Sequence, residues 1–367
     1  MFLALRELRY ARLRYLMIGA IITLIAWLVF LLSGLANGLA NDSAAAIKAM
    51  PASAVVFQQG SQLLLQRSTL PEDTVNQVRQ VPGVTAATPL GQSTVTVQRE
   101  AGGDRLAATI LAIDPRGFLA PPIVAGQALA AAPDGGVVVD RSLTRDGVRL
   151  GDTLTLQPGG ARLTVVGLTS GRTYSHMPVI YASVAFWQGL QTPGAAPQTG
   201  SISAVVIQGE ASAAARITAS VPGLQVGSRA AVVQALPGYA QESGSLTMIQ
   251  AFLVVIAAFI IAAFFYVLTL QKTAQFGVLK ALGAKTGVLG RDLLGQVLLL
   301  TLVGEGAGTL LALGVARVIP SSVPFLLATP LITLYGGVLL VVALLGALLS
   351  LRRIATIDAL TAISRAD

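Results

Sequence analysis

QKTAQFGVLKALGAKTGVLGRD, residues 271–292, is a basic, glycine-punctuated connector set between two long apolar segments. The flanking segments decide the fold class. Four stretches reach the roughly 18–20 apolar residues that a helix needs to cross a bilayer: Leu16–Leu35, Leu246–Leu270, Leu293–Val318 and Leu331–Leu351. Charged residues are only 11% of the chain and mean hydropathy is +0.72, which excludes an ordinary soluble domain. The first run follows Arg6, Arg9, Arg12 and Arg14. It is too long for the apolar core of a signal peptide and no small-residue cleavage site follows, so it reads as a retained helix.

Basic residues set the expected orientation. Four Arg precede the first helix, Lys272, Lys280, Lys285 and Arg291 lie in the connector, and Arg352, Arg353 and Arg365 lie in the tail. The link between the third and fourth helices has only Arg317. The positive-inside rule then places both termini and the connector in the cytoplasm, with the large intervening region outside a plasma membrane that the chain crosses several times. On this reading the net charge of +8 is mostly topological, and nucleic acid is not an expected partner. The chain has no Cys, which removes disulfides and thiol ligands.

The region between the first two helices reads as a folded domain. Gly and Pro punctuate short runs, GGVVVD (Gly135–Asp140), TLTLQ (Thr153–Gln157) and RLTVVGL (Arg162–Leu168), that suit strands. A helical run ending in VPGVTAATP (Val81–Pro89) is echoed by one ending in VPGLQVGS (Val221–Ser228), which suggests two related α/β halves with a β-module inserted between them. The expected fold is thus an α+β membrane protein. Its layout is an amphipathic cytoplasmic helix over residues 1–15, transmembrane helix 1 over 16–36 and an extracytoplasmic domain over 37–245, with the β-module at about 135–175. Transmembrane helix 2 follows over 246–270, the connector over 271–292, helices 3 and 4 over 293–318 and 331–351, and a cytoplasmic tail over 352–367. GVLKALGAKT (Gly277–Thr286) superficially suggests a phosphate-binding loop, but its spacing is wrong and Ala284 separates Gly283 from Lys285. No nucleophile–base pairing or metal-ligand spacing suggests an enzyme.

The connector GVLKALGAK (Gly277–Lys285), GVRLGDTLTL (Gly147–Leu156) and the tail RRIATIDALTAI (Arg352–Ile363) resemble the FtsX/MacB-type permeases, the type VII ATP-binding-cassette transporters. The resemblance spans essentially the whole chain and is strongest to heme-exporter permeases of the HrtB type. It implies a homodimer bound to two separate ATPase subunits that bind and hydrolyse ATP. It further implies that their closure is relayed mechanically through the second helix to the outer domain, with heme as the transported ligand and no intrinsic cofactor. Many relatives carry Glu just before the Gly-Val-Leu of the connector where this chain has Gln275 and Phe276, so no charge contact is carried over there.

In the connector Phe276, Leu279 and Leu282 fall at helical spacing and suit a groove on the ATPase, with Lys280 and Lys285 at its rim. Gly283 and Gly287 permit the turn back toward the membrane; the bland alternative is an interfacial loop held by lipid headgroups. Heme iron wants an axial ligand from His, Met, Tyr or Cys. Two clusters offer one: Tyr174, His176 and Met177 in RTYSHMP, and Tyr239, Glu242 and Met248 in PGYAQESGSLTM. The second is favoured, because it lies where the outer domain enters the second helix, at the level where a flat amphiphile is gathered from lipid. The alternative there is an interfacial Tyr239 and a solvated Glu242. Glu305, between Gly304 and Gly306 in the third apolar run, is either a substrate or gating contact or an interhelical hydrogen-bonding group. A different cargo (a lipid, glycolipid or antimicrobial peptide) and a non-transporting signal relay remain alternatives.

Overall fold

The computed structural model describes residues 12–100, 102–157, 159–190, 200–271, 277–278, 282–320 and 323–355. The chain divides into two compact units, Met1–Leu39 with Ser243–Asp367, and Ala40–Glu242. Its helices are α1 (Arg12–Asp42), α2 (Ala45–Lys48), α3 (Thr74–Arg79), α4 (Val184–Leu190), α5 (Ala213–Ser220), α6 (Arg229–Ala235), α7 (Tyr239–Gln271), α8 (Thr286–Val318) and α9 (Thr329–Ala355). The strands are β1 (Ala54–Gln58), β2 (Leu70–Pro71), β3 (Val84–Arg99), β4 (Leu106–Ile113), β5 (Ala125–Gly126), β6 (Gly136–Asp140), β7 (Thr153–Gln157), β8 (Arg162–Thr169), β9 (Thr173–Tyr174), β10 (Met177–Ser183), β11 (Ser201–Ile202), β12 (Ala204–Gly209) and β13 (Leu224–Ser228).

Four helices are long and apolar enough to cross a membrane: Tyr15–Asp42, Tyr239–Gln271, Gly287–Val318 and Thr329–Leu349. All four start before the apolar runs read in the sequence, two of them by about two turns. Residues 239–245 are the first turns of α7, and residues 286–292, expected in the connector, are the first turns of α8. An apolar window marks only the part of a helix inside lipid, and helix formers such as Gln and Leu carry the coil past it.

In this unit small residues bring helices close, as expected where lipid gives helices no hydrophobic reason to associate. A Cβ at Gly304 would come within 2.6 Å of Ile22, and one at Gly308 within 2.8 Å of the Trp27 backbone nitrogen, so α8 meets α1 at these two glycines. Gly346 does the same for α9 against Ala262 of α7, 2.8 Å from its Cα. The Tyr335 hydroxyl adds an α9–α7 hydrogen bond to Gln250 Oε1 at 2.9 Å. The segment before α9 is tied to α1: Leu326 N–H donates to the Gly34 carbonyl at 2.9 Å and Asn37 Nδ2 donates to the Leu326 carbonyl at 3.1 Å.

The other unit is built around the 16-residue strand β3. Its first part pairs with β12 in a sheet ordered β13–β1–β12–β3, all neighbours antiparallel. β1–α3–β3 and β12–α5–β13 are therefore two interleaved β-α-β units, each with a strand of the other between its own two. These are the two Val-Pro-Gly stretches. Gly83 and Gly223 sit at φ of +91° and +81°, left-handed conformations that open to glycine without strain and turn each helix into its strand. The last part of β3 pairs with β4 and β7. Following partners from there gives a closed circuit, β3–β4–β10–β6–β8–β7 and back to β3. Strands β6, β7 and β8 of residues 135–175 thus belong to a six-stranded barrel that also uses β3, β4 and β10, with β9 outside it against β10, and the barrel shares β3 with the α/β sheet.

Burial explains the strand patterns. β7 and β8 alternate buried and partly exposed residues, with one face in the core. β6 is buried at every position: Val137 and Val139 face one apolar cluster and Val138 another. A strand covered on both faces reads as an unbroken apolar run, hence GVVVD. Trp187 on α4 is 2% exposed, donates its Nε1–H to Ser93 Oγ at 2.8 Å, and lies over Gly91, where a Cβ would come within 2.6 Å of the ring.

Candidate functional site

The hairpin of β9 and β10 pairs Tyr174 with Met177, which leaves Ser175 and His176 as a two-residue turn. Both have positive φ, 50° and 61°, the geometry of a type I′ turn that matches strand twist. Neither is glycine, so the turn is strained. Tertiary contacts hold it: Ser175 N–H donates to the Ser43 carbonyl at 2.8 Å, and the His176 ring meets three groups. Its Nε2 lies 2.7 Å from Ser43 Oγ and 3.2 Å from Glu242 Oε2, and its Nδ1 lies 3.3 Å from Asp42 Oδ2. Ser43 Oγ also lies 3.3 Å from Glu242 Oε2. Asp42 is the last residue of α1 and Glu242 is in the first turn of α7, where a carboxylate faces the positive end of the helix.

The two clusters read in the sequence therefore merge in part: His176 and Glu242 join, with Asp42 and Ser43 added. Nothing near these two in the sequence pointed to His176, but Asp42 and Glu242 are the acidic residues that bracket the apolar segments of α1 and α7. Both imidazole nitrogens are engaged by carboxylates. A nitrogen donates its N–H to a carboxylate, so binding iron through either one requires that nitrogen to leave its carboxylate and carry no proton.

The remaining candidates are placed elsewhere. Tyr174 is 1% exposed, its hydroxyl has no partner among the described residues, and burial pushes its phenol up to about 12, so the phenolate needed to bind iron is disfavoured there. Tyr239 is 8% exposed and packs in the same apolar cluster; Lys48 Nζ lies 5.4 Å from its ring centroid and donates to the Ala40 carbonyl at 3.2 Å. Met248 belongs to the helical unit and is exposed. Glu305 is buried in that unit against Gly336, and its Oε1 has no hydrogen-bond partner among the described residues. In the connector, Phe276, Leu279 and Lys280 lie outside the described residues, as do residues 1–11 and 356–367. Leu282 is 79% exposed, Gly283 has φ +91°, and Lys285 immediately precedes α8. Gly287 sits inside α8, so the turn rests on Gly283. Among the described residues no group of three or more His, Cys, Asp or Glu is arranged to hold a metal ion.

Residues 16–220 match the MacB-like periplasmic core domain, and residues 247–359 match the FtsX-like permease C-terminal region. A protein described as the hemin transport system permease HrtB of Staphylococcus haemolyticus is 28% identical over 98% of both chains. Its counterpart in Staphylococcus epidermidis is 24% identical over the same shares, and an uncharacterized ABC transporter permease of Mycobacterium tuberculosis is 28% identical over 98% of this chain and 97% of its own. Four apolar helices, a mixed α/β unit between the first and second of them, and these two family matches make the chain a member of the FtsX/MacB-like ABC transporter permeases.

Proposed function

We propose that this permease is the membrane subunit of an ATP-driven heme exporter, working as a homodimer with two copies of a separate ATPase. The observation that carries the cargo is the end-to-end similarity to permeases named for hemin transport, 98% of both chains. Both termini and the connector lie in the cytoplasm, and residues 40–242 lie outside the plasma membrane, because basic residues concentrate before α1, in the connector and after α9. The connector is the ATPase contact: exposed Leu282 and Val278 offer apolar anchors, and Gly283 makes the turn into α8. Because α7 is one helix from Tyr239 to Gln271, displacement at the connector is carried along it to Glu242.

In this scheme Glu242 and Met248 are the accessible cargo contacts. His176 takes part only when it leaves its carboxylate partners, and Tyr174 and Tyr239 serve packing. Heme titration of the detergent-purified chain, followed by absorbance, tests the reading. A saturable, shifted Soret band weakened by Glu242→Ala or Met248→Ala supports it. Nonspecific partitioning that no substitution alters refutes heme as cargo, and a shift lost only with His176→Ala moves the site to the hairpin.

A further inference from the structure

The unit spanning residues 40–242 contains a cavity of about 170 Å³ whose lining includes neither His176 nor its partners Asp42, Ser43 and Glu242. Its lining includes the apolar side chains of Met50, Phe118, Leu119 and Pro122 and two polar ones, Arg172 and Tyr181. Tyr181 is 4% exposed, yet its hydroxyl has no hydrogen-bond partner among the described residues. Unlike the Tyr174 hydroxyl, it is not among the enclosed groups, and it is open to donate to an occupant of the cavity it lines. Burial pushes the Tyr181 phenol well above its ordinary value; the Arg172 guanidinium opposes that rise and the Asp140 carboxylate adds to it. The group is thus a neutral donor beside a fixed cation.

The backbone of Arg172 is pinned while its head group is not. Its N–H donates to Asp140 Oδ2 at 2.7 Å, and its carbonyl accepts from Val179 N–H at 3.0 Å. The guanidinium reaches only the neighbouring Gly171 carbonyl, at the long distance of 3.5 Å, and meets no carboxylate among the described residues. Asp140 makes no direct contact with it; its two oxygens accept from the Ser142 and Arg172 backbone N–H groups. A guanidinium fork suits a carboxylate in two-point contact.

We propose that this cavity is a binding site for a small apolar carboxylate, with the carboxylate on Arg172 and the Tyr181 hydroxyl and the apolar body between Met50, Phe118 and Leu119. Size sets the class. An engineered apolar cavity of about 150 Å³ takes benzene, and drug-sized ligands occupy about 300 Å³ or more. The cavity therefore holds one ring or a short chain and excludes a porphyrin, so this site is separate from the heme path proposed above.

The test is ¹⁹F NMR of 4-fluorobenzoate titrated into the full chain in nanodiscs, with 4-fluorobenzyl alcohol as the uncharged counterpart. The wild type is expected to give a saturable shift with the acid and at least tenfold weaker binding of the alcohol. Arg172→Gln weakens the acid about tenfold or more, the scale of one charge-assisted contact. Tyr181→Phe weakens it a few-fold without loss of thermal stability, since the hydroxyl it deletes has no partner. Ala49→Phe, at the rim, blocks binding while leaving Arg172 in place. Equal binding of acid and alcohol, equal binding by wild type and Arg172→Gln, or no saturable shift overturns the assignment.

Discussion

Replacing His176 separates two forces that act on one residue. In the folded chain the imidazole meets Ser43 Oγ at 2.7 Å, Glu242 Oε2 at 3.2 Å and Asp42 Oδ2 at 3.3 Å. The ring is 44% exposed and its carboxylate partners 29% and 26%, so water screens the two ion-pair contacts to about 0.5 kcal/mol each. The shorter hydroxyl contact adds about 1 kcal/mol. His176→Ala is therefore expected to cost about 2 kcal/mol. Against this stands φ of +61°, which costs a residue with a Cβ about 1 kcal/mol. His176→Gly loses the same contacts but relieves that strain, so its net cost is about 1 kcal/mol. For a unit of this length these costs lower Tm by about 4–8 °C for Ala and about half that for Gly. Trp187, buried in the barrel unit, reports its unfolding by fluorescence once Trp27 is replaced by Phe. An Ala variant as stable as the parent, or a Gly variant less stable than the Ala variant, would refute the reasoning.

Gly308→Ala places a methyl 2.8 Å from the Trp27 nitrogen; separating α1 and α8 should cost about 1–3 kcal/mol, read by SDS-titrated unfolding. Gly91→Ala drives a methyl into the Trp187 ring, and an overpacking cost of similar size should appear with a shifted Trp187 emission. Tyr174 ionises near pH 10 when unfolded and near 12 when folded, so its contribution is intact below pH 10 and lost between 10 and 12, at up to about 1.4 kcal/mol per pH unit. Tyr174→Phe should flatten that part of the alkaline stability profile. Because the chain has no Cys, single Cys replacements at Phe252, Val255 and Phe259, an exposed apolar stripe on α7, test the homodimer; a cross-linked dimer at one or more positions in vesicles supports it, and uniform absence counts against it.

Much of the helical unit was legible because an apolar run longer than about 18 residues has one main reading. Gly304 and Gly308 suit close helix packing because only a side chain this small lets two backbones meet, but that their partner is α1 came from the structure. Helix starts were not legible, since Tyr239–Ser245 and Thr286–Asp292 are polar enough to resemble loop. The Val-Pro-Gly repeat was visible because it is local, whereas barrel closure depends on β3 meeting β7 and on β4 meeting β10, partners far apart in sequence. Distance hid the site likewise. His176 is separated by 134 residues from Asp42 and by 66 from Glu242, and a turn of Ser and His where glycine is the usual choice was the sole local sign that tertiary contacts held it.

Strand β1 has no early partner. Ala54 pairs with Ile207 on one side and Ser228 on the other, so both edges of β1 stay open until nearly the whole outer unit has been made. Closing loops of that length slows folding and leaves the AVVF run as a template for mispairing. The barrel strands β4 to β10 close on β3 without β1, so the barrel is expected to form first during synthesis. The α/β sheet then completes in a single late step, and a chain truncated between β10 and β12 should hold a closed barrel with β1 unpaired and prone to aggregate.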